Sequence, residues 1–145
     1  MTVSKDSHLE PQVKHNLTSW LPPTGLDITL LPVGRWWDAV RVPVSIGESA
    51  FRLLAGDTGA VIKDPYSARL YWLVRPETAT DWTIPRVTVL SAGSYIGVPA
   101  WHRVHAPGLR WLAAPDRGRH LTDPVRLHAA LEAALALNPA PEAAR

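Results

Sequence analysis

Cysteine is absent from the 145 residues, which excludes disulfides, thiol catalysis and thiolate metal sites. No apolar run approaches the ~18 residues that a membrane-spanning helix needs. The stretch Met1 to Glu10 is polar and carries no signal-peptide pattern. The expectation is therefore a cytoplasmic protein with no membrane partner. A glycine-rich phosphate loop and internal repeats are also missing. Net charge is only +2, so the chain is not an all-over polycation, and any nucleic-acid role needs a local basic face.

Apolar residues, by contrast, make up 46% of the chain, enough at this length for one domain with a real core. Fourteen prolines and seven tryptophans point to short strands with stiff connections rather than a helical bundle. A polar, proline-punctuated lead covers 1–25, with an irregular segment pinned at Trp20 and Leu21. A single domain follows over 26–138, and the tail 139–145 is expected to fray.

Ile28 to Val33 reads as a short strand, turned by Gly34 and Arg35. Trp36 to Pro43 reads as a second. Its alternation puts Trp37, Ala39 and Arg41 on one face and Trp36, Asp38, Val40 and Val42 on the other. Ser45 to Ala55 reads as a helix, with Ser45 and Glu48 at capping-box spacing, an apolar stripe at Ile46, Ala50, Leu53 and Leu54, and Gly56 to end it. Residues 60–63 and 69–74 flank Asp64-Pro65 and predict a hairpin. Arg69 to Val74 is almost continuously apolar, which predicts a central strand covered on both faces. Glu77 to Trp82 predicts a helical turn, and Arg86 to Leu90 another strand. Ala114 to His120 reads as a polar loop containing Arg117 and Arg119. Thr122-Asp123-Pro124 is a strong helix start. The helix it opens carries Leu127, Leu131 and Leu135 on one face and stops at Asn138-Pro139. The fold class is α+β, with helices packed on a mostly antiparallel sheet.

The chain is organised around Gly93 to Trp111. Tyr95, Ile96 and Val98 suit a buried pleat, and Pro99 ends the ladder. Trp101, His102, Arg103 and His105 form a basic, ring-rich loop held between two strands, a natural place for function. The plain alternative is that Tyr95 and Trp111 are core and the histidines are solvated loop residues.

Several motifs together resemble a known family. They are Leu30-Leu-Pro-Val-Gly34-Arg with Trp37-Asp38, Gly59-x-Val61 with Asp64-Pro65, Leu70-Tyr-Trp-Leu-Val74, and Gly93-x-Tyr95 with Pro99 and Gly108-x-x-Trp111. This pattern resembles small actinobacterial proteins similar to the N-terminal domain of bifunctional DNA primase/polymerases of the archaeo-eukaryotic type. The resemblance covers about residues 26 to 115 and implies an RRM-like sheet with helices on one side. In that family an Asp-x-Asp pair, a histidine and a further aspartate serve nucleotidyl transfer with two metal ions. Here Asp38 falls near the first acid, but the next falls near Arg41, the histidine on or beside Arg69, and the last acid near Thr88.

Two metal ions need several carboxylates to offset their charge. A guanidinium beside them repels a divalent ion by roughly 6 kcal/mol at about 5 Å and an effective dielectric near 20. The resemblance therefore implies a degenerate, non-catalytic member with no cofactor and no metal pair. The pair His102 and His105, with Asp116 and His120 beyond, has weak metal-site spacing, and the serines lack a His/Asp arrangement for nucleophilic chemistry. Trp36-Trp37 fits core or interface anchors better than base stacking.

Two functions follow as expectations. The first is a regulatory or accessory module that binds a protein partner. The second is a single-stranded nucleic-acid or nucleotide-binding domain, since Arg35, Arg41, Arg69, Arg75, Arg103 and Arg110 interleave with Tyr71, Trp72 and Trp101 as strand binding requires. A metal-dependent nucleotidyltransferase is a minor third. The binding candidates are Arg41, Arg69, Tyr71, Trp101, His102, Arg103 and His105. What separates the readings is whether Arg41, Arg69 and Trp101 share one open face or pair with Asp38 and Asp64.

Overall fold

A computed structural model describes residues 20, 22–23, 28–115 and 120–139. The expectations for the rest of the lead, for Leu21, for Asp116, Arg117 and Arg119, and for the tail from 140 onward lie outside the described residues. The elements run β1 (Ile28–Pro32), β2 (Asp38–Pro43), α1 (Val44–Leu54), β3 (Val61–Asp64), β4 (Arg69–Val74), β5 (Thr88–Leu90), β6 (Tyr95–Pro99), β7 (Arg110–Ala113) and α2 (Pro124–Leu137).

Strand β4 sits at the centre of a five-stranded sheet of order β5-β2-β4-β3-β7, and β1 pairs with β6 in a separate two-stranded sheet. Every pairing is antiparallel. The continuous apolar run of β4 has the predicted cause. Leu70, Trp72 and Val74 enter one core with Val40, Val42, Ile46, Leu127 and Leu131, on the face that α1 and α2 cover. Leu73 enters the other, with Trp37, Ala39, Ile62, Ile96, Val98 and Trp111, on the face that β1 and β6 cover. The helices are therefore packed on an antiparallel sheet, as expected for α+β. β2-α1-β3-β4 forms a split unit in which β2 and β3 flank β4, an order compatible with the RRM-like expectation. Trp20 seals the second core, meeting Trp37 and Trp111 edge-on at centroid separations of 5.7 and 6.4 Å.

Local details differ from the sequence expectation in several places. Pro43, not Ser45, occupies the N-cap of α1, and no side chain caps it. Glu48 instead reaches Lys63 at 2.8 Å. Ala55 takes the left-handed position that closes α1, with Gly56 following it at positive φ. Residues 77–82 form turns rather than a helical turn, with Asp38 accepting from the Glu77 backbone N–H at 2.8 Å. Tyr95 is 61% exposed, because a pleat alternates and Ile96 and Val98 take the inward positions. Helix α2 starts at the predicted place, but with Asp123 rather than the Thr122 hydroxyl as its cap: Asp123 accepts from the Val125 N–H, and Pro124 follows in the first turn. Thr122 serves elsewhere, accepting from the Gly59 N–H at 2.8 Å. Among the described residues no helix is long and apolar enough to cross a membrane.

Candidate functional site

The antiparallel order brings one end of the large sheet together: the last residues of β2 and β3 and the first of β4, β5 and β7. At this end Arg41, Arg69 and Arg86, with Pro43, Val87 and Thr88, line a pocket of about 350 Å³. The register explains the gathering. Arg41 lies opposite Tyr71 on β4 and Thr88 on β5, and Pro43 lies opposite Arg69. Facing residues share a side of the sheet, so Arg41, Pro43, Arg69 and Thr88 stand on one face. Further along the same face, Ala39, Leu73 and Leu90 belong to the second core.

The pocket is cationic. Arg69 Nη1 donates to the Ser67 and Ala68 carbonyls at 3.1 and 3.3 Å. Arg86 Nη2 donates to the Asn138 carbonyl at 2.7 Å. Among the described residues, none of the three guanidiniums is ion-paired with a carboxylate. Helix α1 begins at the Pro43 wall with no acid in its first turn, so its positive end adds to the field. Planar guanidiniums without carboxylate partners suit phosphate or carboxylate oxygens, which they meet bidentately.

Asp38 stands apart. It is 1% exposed and alternates with Val40 and Val42 toward the helix-covered core. Arg41 is three residues along, ~10 Å away and on the opposite face. Burial pushes the Asp38 carboxyl up from its ordinary value; the Glu77 N–H opposes this and the Glu77 charge adds to it. Among the described residues no three His, Asp or Glu side chains group as a metal site. Arg41, Arg69 and Thr88 meet in the pocket, and Asp38 is not in its lining.

The other sequence candidates divide. Tyr71 is half-buried on the pocket's face and packs against the second core. Trp101 is 58% exposed, lies edge-on to His102 at 5.8 Å, and is not in the pocket lining. His102 and His105 are exposed loop residues. Arg103 Nε donates to the Leu109 carbonyl at 3.2 Å and its own carbonyl accepts from the Trp111 N–H at 2.8 Å, so it ties the loop to β7. Trp72 is fully buried with Nε1 donating to Thr58 Oγ1, which removes it as a stacking surface. Arg35 lies over Trp36 at 4.7 Å, and Arg110 donates to the Gly108 carbonyl.

Arg86 was not among the sequence candidates. It precedes β5 in a left-handed conformation, φ 66°, and no periodicity marks it. A second pocket of about 360 Å³ lies between residues 78–82 and α2, lined by Trp82, His128 and Glu132 among others. No family model, curated protein or solved structure matches this chain.

Proposed function

We propose that this domain is a non-catalytic binding module whose arginine pocket takes the phosphate of a nucleotide or of single-stranded nucleic acid. One observation carries the reading: Arg41, Arg69 and Arg86 line a single open pocket with no carboxylate among the described lining residues. Two conditions set by the sequence bear on it. The shared open face holds for Arg41 and Arg69 but not for Trp101, which lies outside the pocket lining. Asp38 and Asp64 do not pair with these arginines: Asp38 is engaged with Glu77, and Asp64 accepts from Tyr66 and Ser67. The volume lies at the lower end of the roughly 300–1,000 Å³ typical of small-ligand pockets. The non-catalytic part rests on Arg41 and Thr88 holding positions that the primase/polymerase resemblance gives to acids, and on Asp38 facing the opposite core. An accessory or regulatory role in nucleic-acid metabolism fits that resemblance.

The protein-binding reading has its own supporting observation. Ile28, Leu30 and Tyr95 are 47, 67 and 61% exposed and share the outward face of β1 and β6, where Leu30 lies opposite Gly97 and Pro32 opposite Tyr95. Among the described residues of β1 and β6 this face is apolar and uncharged, so it fits a protein rather than a phosphate ligand.

The test is a titration with labelled single-stranded DNA at several salt concentrations, beside primer extension with magnesium or manganese. Affinity is expected to fall with salt, because each neutralised phosphate releases counterions. Arg41→Ala and Arg69→Ala should each weaken binding and flatten the slope by about 0.7–1. No binding of any phosphate ligand at low salt would leave the protein-binding reading. Primer extension abolished by Asp38→Ala would overturn the non-catalytic claim.

A further inference from the structure

The arginine pocket occupies only part of its end of the sheet. The next strand ends in the same row carry further groups that suit one ligand. The β3–β4 turn presents Tyr66, 83% exposed. Its conformation is set by Asp64, whose Oδ1 accepts from the Tyr66 N–H at 2.9 Å and the Ser67 N–H at 3.3 Å, and whose Oδ2 accepts from Ser67 Oγ at 2.9 Å. This is an Asx-type turn. The carboxylate at this strand end is therefore spent on fixing the turn backbone that carries Tyr66. The exposed ring of Tyr66 reaches toward Gly108 with its hydroxyl. A Cβ on Gly108 would stand 3.2 Å from Arg103 Nη2 and 3.3 Å from the Tyr66 hydroxyl. Glycine there, at φ 91°, lets the two side chains approach the backbone ahead of β7. Trp101 lies two residues from Arg103, more than half exposed.

Resting on the pocket's phosphate reading, we propose that single-stranded nucleic acid lies across this end of the sheet, perpendicular to the strands. Backbone phosphates sit at Arg86, Arg41 and Arg69, and a base stacks on Tyr66 beside Arg103, with the far end toward Trp101. The strand order sets the path. From β5 through β2, β4 and β3 to β7 there are four inter-strand steps, or about 19 Å at ~4.8 Å each. A stacked strand advances ~3.4 Å per nucleotide, so the row accommodates at most about six nucleotides, within the usual range for single-strand platforms. A duplex fits poorly, because its base faces are hidden from Tyr66. An acidic peptide would satisfy the arginines but leave the ring unused.

The experiment is fluorescence anisotropy of the full chain at low salt with labelled oligo-dT of two to ten nucleotides. An abasic hexamer and hexaglutamate serve as further probes. Affinity is expected to rise with length to about six nucleotides and then level off. Tyr66→Ala should weaken the dT hexamer about 5- to 150-fold, the range for losing one base stack. Tyr66→Phe should keep the affinity, and the abasic hexamer should lose its dependence on Tyr66. Circular dichroism melts check that each variant folds; Tyr66 is exposed, so they should match wild type. If the dinucleotide binds as tightly as the hexamer, and depends on Arg41 but not Tyr66, the pocket stands and the track is overturned. Equal binding of hexaglutamate, or of a duplex of the same length, also overturns the track. No binding of any nucleotide probe overturns both readings.

Discussion

Gly47 sits inside α1, where helix propensity and packing pull in opposite directions. Propensity alone predicts that Gly47→Ala stabilises the helix by about 1 kcal/mol. Packing predicts otherwise. A Cβ at Gly47 would stand 2.6 Å from Leu70 Cδ1 and 2.8 Å from Val42 Cγ2, about 1 Å inside normal carbon contact. Both neighbours are fully buried, so neither can swing into solvent. Such overpacking typically costs about 1–3 kcal/mol, so the balance favours net destabilisation of up to about 2 kcal/mol. The assay is urea unfolding of wild type, Gly47→Ala, Leu70→Ala and the double variant. Leu70→Ala alone should cost about 2–5 kcal/mol, as its side chain leaves a cavity. In the Gly47→Ala background it should cost about 1 kcal/mol less, because the truncation relieves the clash and the new methyl fills part of the space. A Gly47→Ala variant more stable than wild type, with the cycle additive within about 0.5 kcal/mol, would refute the reasoning.

Two further perturbations test other parts of the fold. Leu131 on α2 is fully buried against the helix-side core, so Leu131→Ala should cost about 2–5 kcal/mol in denaturant melts, and a change within about 0.5 kcal/mol would show that α2 is not docked. Burial raises the Asp38 carboxyl above its ordinary value of 3.8, so the folded state binds that proton more tightly than the unfolded state. The corresponding stability is present in acid, is lost as pH rises from near 3.8 through the folded value, and stays lost above it. Asp38→Asn keeps an acceptor for the Glu77 N–H without the charge. It should be at least as stable as wild type near pH 7, with its relative advantage shrinking toward pH 4; wild type proving the more stable near pH 7 would refute this.

Local chemistry was legible wherever one signal acted alone. The run Arg69 to Val74 could be satisfied only by burial on both faces, and it lies at the sheet's centre. Asp123-Pro124 started α2, and the leucine spacing placed Leu127 and Leu131 inward. Asp64-Pro65 turned the hairpin that pairs Asp64 with Arg69. The alternation in β2 separated Trp37 and Ala39 from Val40 and Val42, and they enter different cores.

What tertiary structure decided was everything that depends on pairing between distant strands. Strands β6 and β7 flank one loop in sequence, yet β6 pairs with β1 and β7 with β3, so the Trp101 loop bridges two sheets. Tyr95 lost its expected burial because only one face of β6 meets the core. Trp72 looked like a stacking ring and is filling the core instead. The arginine pocket shows the same limit most clearly. Arg41 and Arg69 were visible as strand residues, but their juxtaposition follows from the β2–β4 register, and Arg86 joins them only through the β2–β5 pairing. Sequence periodicity reports which face of a strand is apolar. It carries no information about which strand ends meet, because that is set by how the two cores pack around β4.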